Sequence, residues 1–458
     1  MVHVPRHARV ACGRHARRDA REMSEFQECR NLVGWITLLL RVPWHHEFRM
    51  IRKRRGDGGP SHPGMTPMAK RSQRASPQHT ATDPRVVTIR SLADAGILET
   101  PIMHPERLGR VAQQWSYILR ARARWTTDPD LCKSMAISAC KALESLGIPC
   151  QRVQSWASAG RIEVEFHDWD PDDPKVDRIH ESASEVPWEY LISAATRVEG
   201  RFGSLLISRL FRNGMSAVLP HPPSTVLFVE SAPGRIKELY EFSDEEERIR
   251  VAVGADRRQC VKILNTPKLS ELRTVTEKNW EAIHVTGIDT HQAGWLIENF
   301  YQDFPRQKPA LWKEITRSDR LCDGMIMREG REIELPVPYD KLAKTLVGAK
   351  PAPRIVTLNL YYSGGRLARE LVRLGAHSAL GFLDEIDDEL AELFFQALYW
   401  EWCHANPAIR IPDAFLGAWH RLSGRGRHGT SIAIWTGRSI FDPPATAVQG
   451  ETNEAVTS

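Results

Sequence analysis

The chain has 458 residues, 42% of them apolar and 26% charged, with a formal charge of +5. That is enough for one large domain with extensions, or for two, and it excludes wholesale disorder. The charge is uneven: residues 1–84 hold 16 Lys/Arg against 7 Asp/Glu, while the rest hold 46 against 50. The basic character therefore belongs to one end, and no broad nucleic-acid-binding face follows from the total.

In chain order, residues 1–84 are rich in Arg, His, Gly and Pro and lack sustained periodicity. Arg52-Lys53-Arg54-Arg55 followed by Gly56-Asp57-Gly58-Gly59-Pro60 is the composition of a solvated tail. An alternative is a coding frame that starts at Met65 or Met68. Leu32 to Leu40 is the longest apolar run. It contains Gly34 and Thr37, stops at Arg41 and is far short of the ~20 residues needed to span a bilayer. An Arg- and His-bearing segment with several acids precedes it, unlike a signal peptide.

Residues 86–150 read as a loosely connected helical extension. Leu108, Val111, Trp115 and Ile118 recur at helical spacing within 105–124. Met135, Ala139, Ala142 and Leu146 do so within 131–146, closed by Gly147 and Pro149. Cys132, Cys140 and Cys150 fall in or just after this second helix and are expected as small buried apolar positions. The eight cysteines show no CxxC pair and no regular spacing. Neither a zinc site nor a disulfide framework is expected, and a reducing, cytoplasmic setting is the simplest home.

Residues 161–168 alternate as a half-buried strand, and an acidic loop follows from Asp168 to Asp177. Val186-Pro187-Trp188-Glu189 reads as a proline turn entering a helix with an aromatic anchor. Strands are expected at 224–230, 260–264 and 282–286, and helices from Asp244 and over 270–279. Residues 353–402 then give the clearest pattern in the chain. Ile355, Val356, Leu358 and Leu360 form a strand buried on both faces, and Ser363-Gly364-Gly365 a turn. Leu367, Leu371 and Leu374 mark a helix ended by Gly375, and 378–383 a second strand. A long helix follows, with Asp384, Glu385, Asp387 and Asp388 where its dipole favours acids. Helix 413–422 and strand 430–436 complete an alternation that predicts an α/β domain with a mainly parallel sheet. The segment 441–458 is a polar tail. No internal repeat is present.

Leu358-Asn359-Leu360-Tyr361-Tyr362-Ser363-Gly364 resembles the Leu-Asn-Ala-Cys-x-Ser-Gly motif of the CHAT domain, a caspase-like cysteine peptidase module related to caspases and separase. Val186-Pro187-Trp188-Glu189 resembles that family's Pro-Trp-Glu-Leu segment. Ile283-His284-Val285-Thr286-Gly287-Ile288-Asp289 lies where the family has His-Phe-x-x-His-Gly. The likeness covers roughly residues 155–440 and implies a caspase-like three-layer sandwich. It also implies that the nucleophile position is taken by Tyr361 and the catalytic histidine position by Ile288, with His284 as the structural first histidine. A thiolate and an activating histidine are what that chemistry needs, and both are replaced.

The expected protein is therefore a pseudopeptidase that binds or regulates a protein or peptide partner, in what the resemblance implies is a bacterial defence or cell-death pathway. Vestigial pocket candidates are His284, Asp289, His291 and Ser363. The alternative is a hydrolase rebuilt from His291 with Ser363 or Tyr361, oriented by Asp289. No cofactor, metal or membrane is expected, and a nucleic-acid role would rest on the basic tail alone. The acids at 384–388 and Ser363-Gly364-Gly365 are explained by helix-terminus placement and turn geometry rather than by a metal or phosphate.

Overall fold

Ten strands run into one sheet because most of them carry apolar side chains on both faces, which only a layer of helices on each side can cover. The structure, a computed structural model, describes residues 86–443 except 94–95, 121–128, 157–159, 168–173, 197–204, 217–219, 233–241, 291, 294–322, 329–333, 349–350, 386–387 and 424–430. The strands are β1 (Val87–Ala93), β2 (Gly96–Pro101), β3 (Arg161–Phe166), β4 (Leu206–Phe211), β5 (Val226–Ser231) and β6 (Val261–Asn265). They continue with β7 (Ala282–Gly287), β8 (Met325–Arg328), β9 (Glu334–Val337), β10 (Ile355–Asn359), β11 (Ser378–Phe382) and β12 (Ile432–Thr436). The sheet order is β2-β1-β3-β4-β12-β11-β10-β7-β5-β6, and β8 with β9 forms a separate hairpin.

Strands β11, β10, β7, β5 and β6 are mutually parallel, and so are β3, β4 and β12; the two blocks meet in the antiparallel pair β11–β12. Helices α1 (Leu108–Arg120), α2 (Pro129–Ser145), α3 (Cys150–Ser155), α4 (Pro174–Glu185) and α5 (Trp188–Ala195) belong to one layer with α7 (Leu269–Thr276), α8 (Tyr339–Leu346) and α9 (Arg366–Arg373). The opposite layer is α6 (Ser243–Val253), α10 (Asp388–His404) and α11 (Ile411–Ser423). On β10, Val356 and Leu358 face the first layer and Ile355 the second, so each strand divides its residues between two cores. This is an α/β three-layer sandwich: the alternation of elements predicts the mainly parallel sheet, and the layering is compatible with the caspase-like arrangement that the resemblance implies.

Two expectations about the elements change. Residues 86–150 do contain helices, but they open with the hairpin β1–β2, which pairs through β1 onto β3 and extends the sheet. Strand β1 escapes a periodicity search because its polar side chains are buried: Thr88 and Ser91 are covered, and Arg90 meets Glu99, Glu163 and Glu165 at 3.1–3.3 Å. Of the acidic stretch expected as a loop, residues 174–177 belong to α4, which starts at Pro174, a residue suited to a first helical turn; 168–173 lie outside the described residues.

One buried ion pair ties the α4–α5 elbow to β4 and β12. Arg209, central in β4 and fully buried, donates to both carboxylate oxygens of Glu189 at 2.7 Å, and to the carbonyls of Ser184 and Val186. Its guanidinium lies 5.3 Å from the Trp435 ring centre on β12. Trp188 donates its indole N–H to the Ala183 carbonyl at 3.0 Å. The Pro-Trp-Glu segment is thus a clamp from the α4–α5 elbow onto two strands. Breaking such a buried pair by removing one partner costs about 3–5 kcal/mol.

Cys140 and Cys150 form a disulfide with Cα atoms 5.1 Å apart, whereas Cys260 and Cys403 are not disulfide-bonded. The expectation that Cys140 and Cys150 are merely small apolar positions is corrected. The helix break at Gly147–Pro149 turns α3 back on α2 and brings the two sulfurs together, which spacing alone does not reveal.

Candidate functional site at the carboxyl ends of β7 and β10

Strand order reverses at β5: β6 lies on one side of it and β7 on the other. In open α/β sheets ligands sit outside the carboxyl ends of the strands at such a switch point. The register of β7 against β10 pairs Thr286 with Asn359. Ile288 and Tyr361 each lie two residues further on, so the two positions singled out by the sequence leave neighbouring strands side by side.

Ile288 is buried and stitched on both sides. Its N–H donates to the Ser231 carbonyl at 3.4 Å, and its carbonyl accepts from the Ile326 N–H at 2.9 Å. Ser231 in turn donates its hydroxyl to the Ile326 carbonyl at 2.7 Å, and Asp289 pairs with Met325. The β8–β9 hairpin therefore roofs the ends of β5 and β7. The close approach requires Gly287, because a Cβ there would stand 2.6 Å from the Ser231 carbonyl oxygen. Asp289 is fully buried, and its Oδ1 accepts the Gln292 N–H at 2.9 Å, so it caps the turn that follows. His291 lies outside the described residues.

The end of β10 is equally committed. Tyr361 packs against the α10 layer and donates its hydroxyl to Asp388 Oδ1 at 3.1 Å, while Tyr362, at φ +57°, reaches Glu385 Oε1 at 3.4 Å. Ser363 is buried. Its hydroxyl donates to the Leu360 carbonyl at 2.7 Å and accepts from the Phe382 N–H at 3.3 Å. Gly364 donates to the Phe382 carbonyl at 2.8 Å and accepts the Trp435 indole at 2.7 Å. A Cβ on Gly364 would stand 2.8 Å from the Gly381 carbonyl oxygen, so the glycine serves close packing of the turn on β11. Ser363 is a turn residue whose hydroxyl is already spent.

His284 sits elsewhere. It points from β7 into the α6/α10 layer, fully buried between Phe228, stacked at 5.2 Å, and the edge of Phe395 at 5.1 Å. Its Nε2 is 2.8 Å from Glu245 Oε1 and its Nδ1 2.7 Å from Thr357 Oγ1; Asn359 donates to Glu245, and Tyr399 is 3.1 Å from the Thr357 hydroxyl. Burial pushes the Tyr399 hydroxyl well above the usual tyrosine range. A carboxylate, an imidazole and a hydroxyl in line is the arrangement of a hydrolytic triad, but Glu245, His284 and Thr357 are all without exposed surface. Nothing of substrate size reaches the hydroxyl. The network holds β7, β10, α6 and α10 together.

Sequence reasoning missed two acidic groups, one beside the turn and one in the opposite layer. Glu185, at the end of α4, is 3.1 Å from Arg366 Nε, which is also 3.6 Å from Asp323. Burial first, and then the Asp323 charge, push the Glu185 carboxyl up to about 7. Across the sheet, burial and then Glu245 push Glu392 up to about 7, opposed by Arg248 at 3.1 Å. Only the fold brings residues so far apart in sequence together.

Among the described residues no group of three His, Cys, Asp or Glu side chains is arranged to hold a metal ion, and no helix is long and apolar enough to cross a membrane. The chain matches no family model and no curated protein.

Proposed function

We propose that this chain is a catalytically inactive, CHAT-like module that acts in the cytoplasm by binding a protein or peptide partner. The observation that carries the reading is the register of β7 on β10, which pairs Thr286 with Asn359, each two residues before Ile288 and Tyr361. Neither side chain can do the work of a thiolate or of its base. The hydrolase alternative is not favoured: Ser363 is buried with its hydroxyl held by the Leu360 carbonyl, and Tyr361 is turned to Asp388. A role in bacterial defence or cell death rests on the motif resemblance alone.

The test is incubation of the full chain with a proteome-derived peptide library, with mass spectrometry to find new termini. The expected result is no cleavage above a buffer control, for the wild type and for Tyr361→Phe alike. Cleavage by the wild type that Tyr361→Phe or Ser363→Ala removes would overturn the proposal.

A further inference from the structure

β2 is an outer strand of the ten-stranded sheet, and its surroundings link the edge to the disulfide. The Ile102 N–H donates to the Val87 carbonyl, and Arg90 is registered opposite Glu99. Alternation along the antiparallel ladder then leaves the Glu99 carbonyl facing away from β1. Outward-facing backbone groups of this kind invite pairing with another strand. Here the group is met from α3: Arg152 Nη2 donates to the Glu99 carbonyl at 3.2 Å. Leu92, Ile97 and Leu98 on the same hairpin are exposed by 49%, 41% and 36%, so this edge offers apolar side chains as well as backbone.

α3 is only six residues long and begins at Cys150. The other half of the disulfide, Cys140, belongs to α2, which is anchored in the core by the fully buried Ala139 and Leu143. Gln154 of α3 also approaches Cys140 Sγ, at 3.9 Å. A helix this short has little stability of its own in water and depends on what tethers it.

We propose that Cys140 and Cys150 are a reversible thiol–disulfide site that pins α3, and with it Arg152, over the outer edge of the sheet. In the open form both are thiols. Closure takes a low-molecular-weight disulfide such as oxidised glutathione. One cysteine thiolate attacks it, forming a mixed disulfide and releasing one glutathione thiolate. The second cysteine thiolate then attacks the protein sulfur of that bond, forming Sγ–Sγ and releasing the other. The two thiol protons end on the two glutathiones, and two electrons pass from the protein to the glutathione disulfide. Opening is the reverse. Such a couple suits a chain in which neither Cys260 nor Cys403 forms a disulfide.

The experiment equilibrates the full chain in glutathione buffers of graded ratio, traps thiols with a maleimide and maps them by peptide mass spectrometry. Hydrogen exchange is read in parallel over 96–101 and 150–156. The expected result is a bond that opens and closes across the series, with exchange in both segments roughly tenfold faster when it is open, as for a locally unfastened unit. Cys140→Ser should show the fast exchange without reductant, and Cys403→Ser should behave as wild type. Should Cys140→Ser fail to fold, reduced wild type supplies the same state. Arg152→Met in the oxidised protein should accelerate 96–101 and leave 150–156 slow. The proposal is overturned if both thiols are alkylated at every ratio. It is overturned equally if the bond forms and exchange over 96–101 does not change.

Discussion

The molecule contains two places that look catalytic, and each lacks what the other has. Glu245, His284 and Thr357 have the distances of a triad, yet all three are sealed between β7, β10 and the α6/α10 layer. The ends of β7 and β10 lie on the carboxyl edge where an α/β sheet places its chemistry, one strand from the β5/β7 switch point, yet the residues that follow them are Ile288 and Tyr361. Hydrogen-bond geometry is therefore no guide to catalysis without access, and position in the fold is no guide without a nucleophile and base. The first place is structural, and the second is the scaffold of a site.

The comparison can be broken most forcefully at the sealed network. His284→Ala leaves Glu245 buried beside a cavity and should cost about 3–5 kcal/mol, the range for removing one member of a buried polar or charged pair. Urea unfolding reads it; a loss below about 1 kcal/mol would mean that the network is not a structural element. At the strand end, Ile288→Ala should cost about 2–4 kcal/mol for a buried aliphatic side chain, with no gain of peptidase activity. Ser363→Ala should cost about 1–2 kcal/mol, because the Phe382 amide and Leu360 carbonyl lose their shared partner. Tyr361→Phe should cost less than about 1 kcal/mol, since the contact with Asp388 is solvent-exposed.

The smallest effect expected is that of pH. The Glu392 carboxyl is held at about 7 in the fold, above its ordinary value, because burial and Glu245 oppose its charge. The folded state thus binds this proton more tightly than the unfolded chain does. Stability from this group is complete below the ordinary carboxyl range and is lost as pH rises to about 7. Glu392→Gln should flatten the fall in melting temperature between about pH 5 and 7. The imidazoles of buried His180 and half-buried His377, pushed down to about 4 by desolvation and then by nearby Arg369 and Arg354 respectively, act in the opposite sense. They lose stability as pH drops from the ordinary histidine value towards 4, so an unaltered slope in the variant would assign the higher-pH limb elsewhere.

Much of the fold was legible because parallel strands such as β7 and β10 are apolar on both faces and separated by helices with regular spacing. The segments that were not legible break that rule for a physical reason. β4 carries Arg209 at its centre, a charge that only the Glu189 carboxylate on another element makes tolerable. β1 hides Arg90 among Glu163 and Glu165 from β3. A sequence shows such a charge but not its partner. The site was legible in the same partial way. Motif spacing singled out Ile288 and Tyr361, and the strand register sets them just past the ends of adjoining strands. That Ser363 is consumed by its own turn, and that Glu185 meets Arg366, depend on contacts between distant segments.

The central claim is that the ends of β7 and β10 carry no activated nucleophile. The most direct measurement is intact and peptide mass spectrometry of the native chain after exposure to a sulfonyl fluoride that captures activated serine and tyrosine hydroxyls. The account predicts that Ser363 and Tyr361 are modified no faster than in the urea-unfolded chain. Rapid, stoichiometric modification of either residue that disappears on unfolding would contradict it.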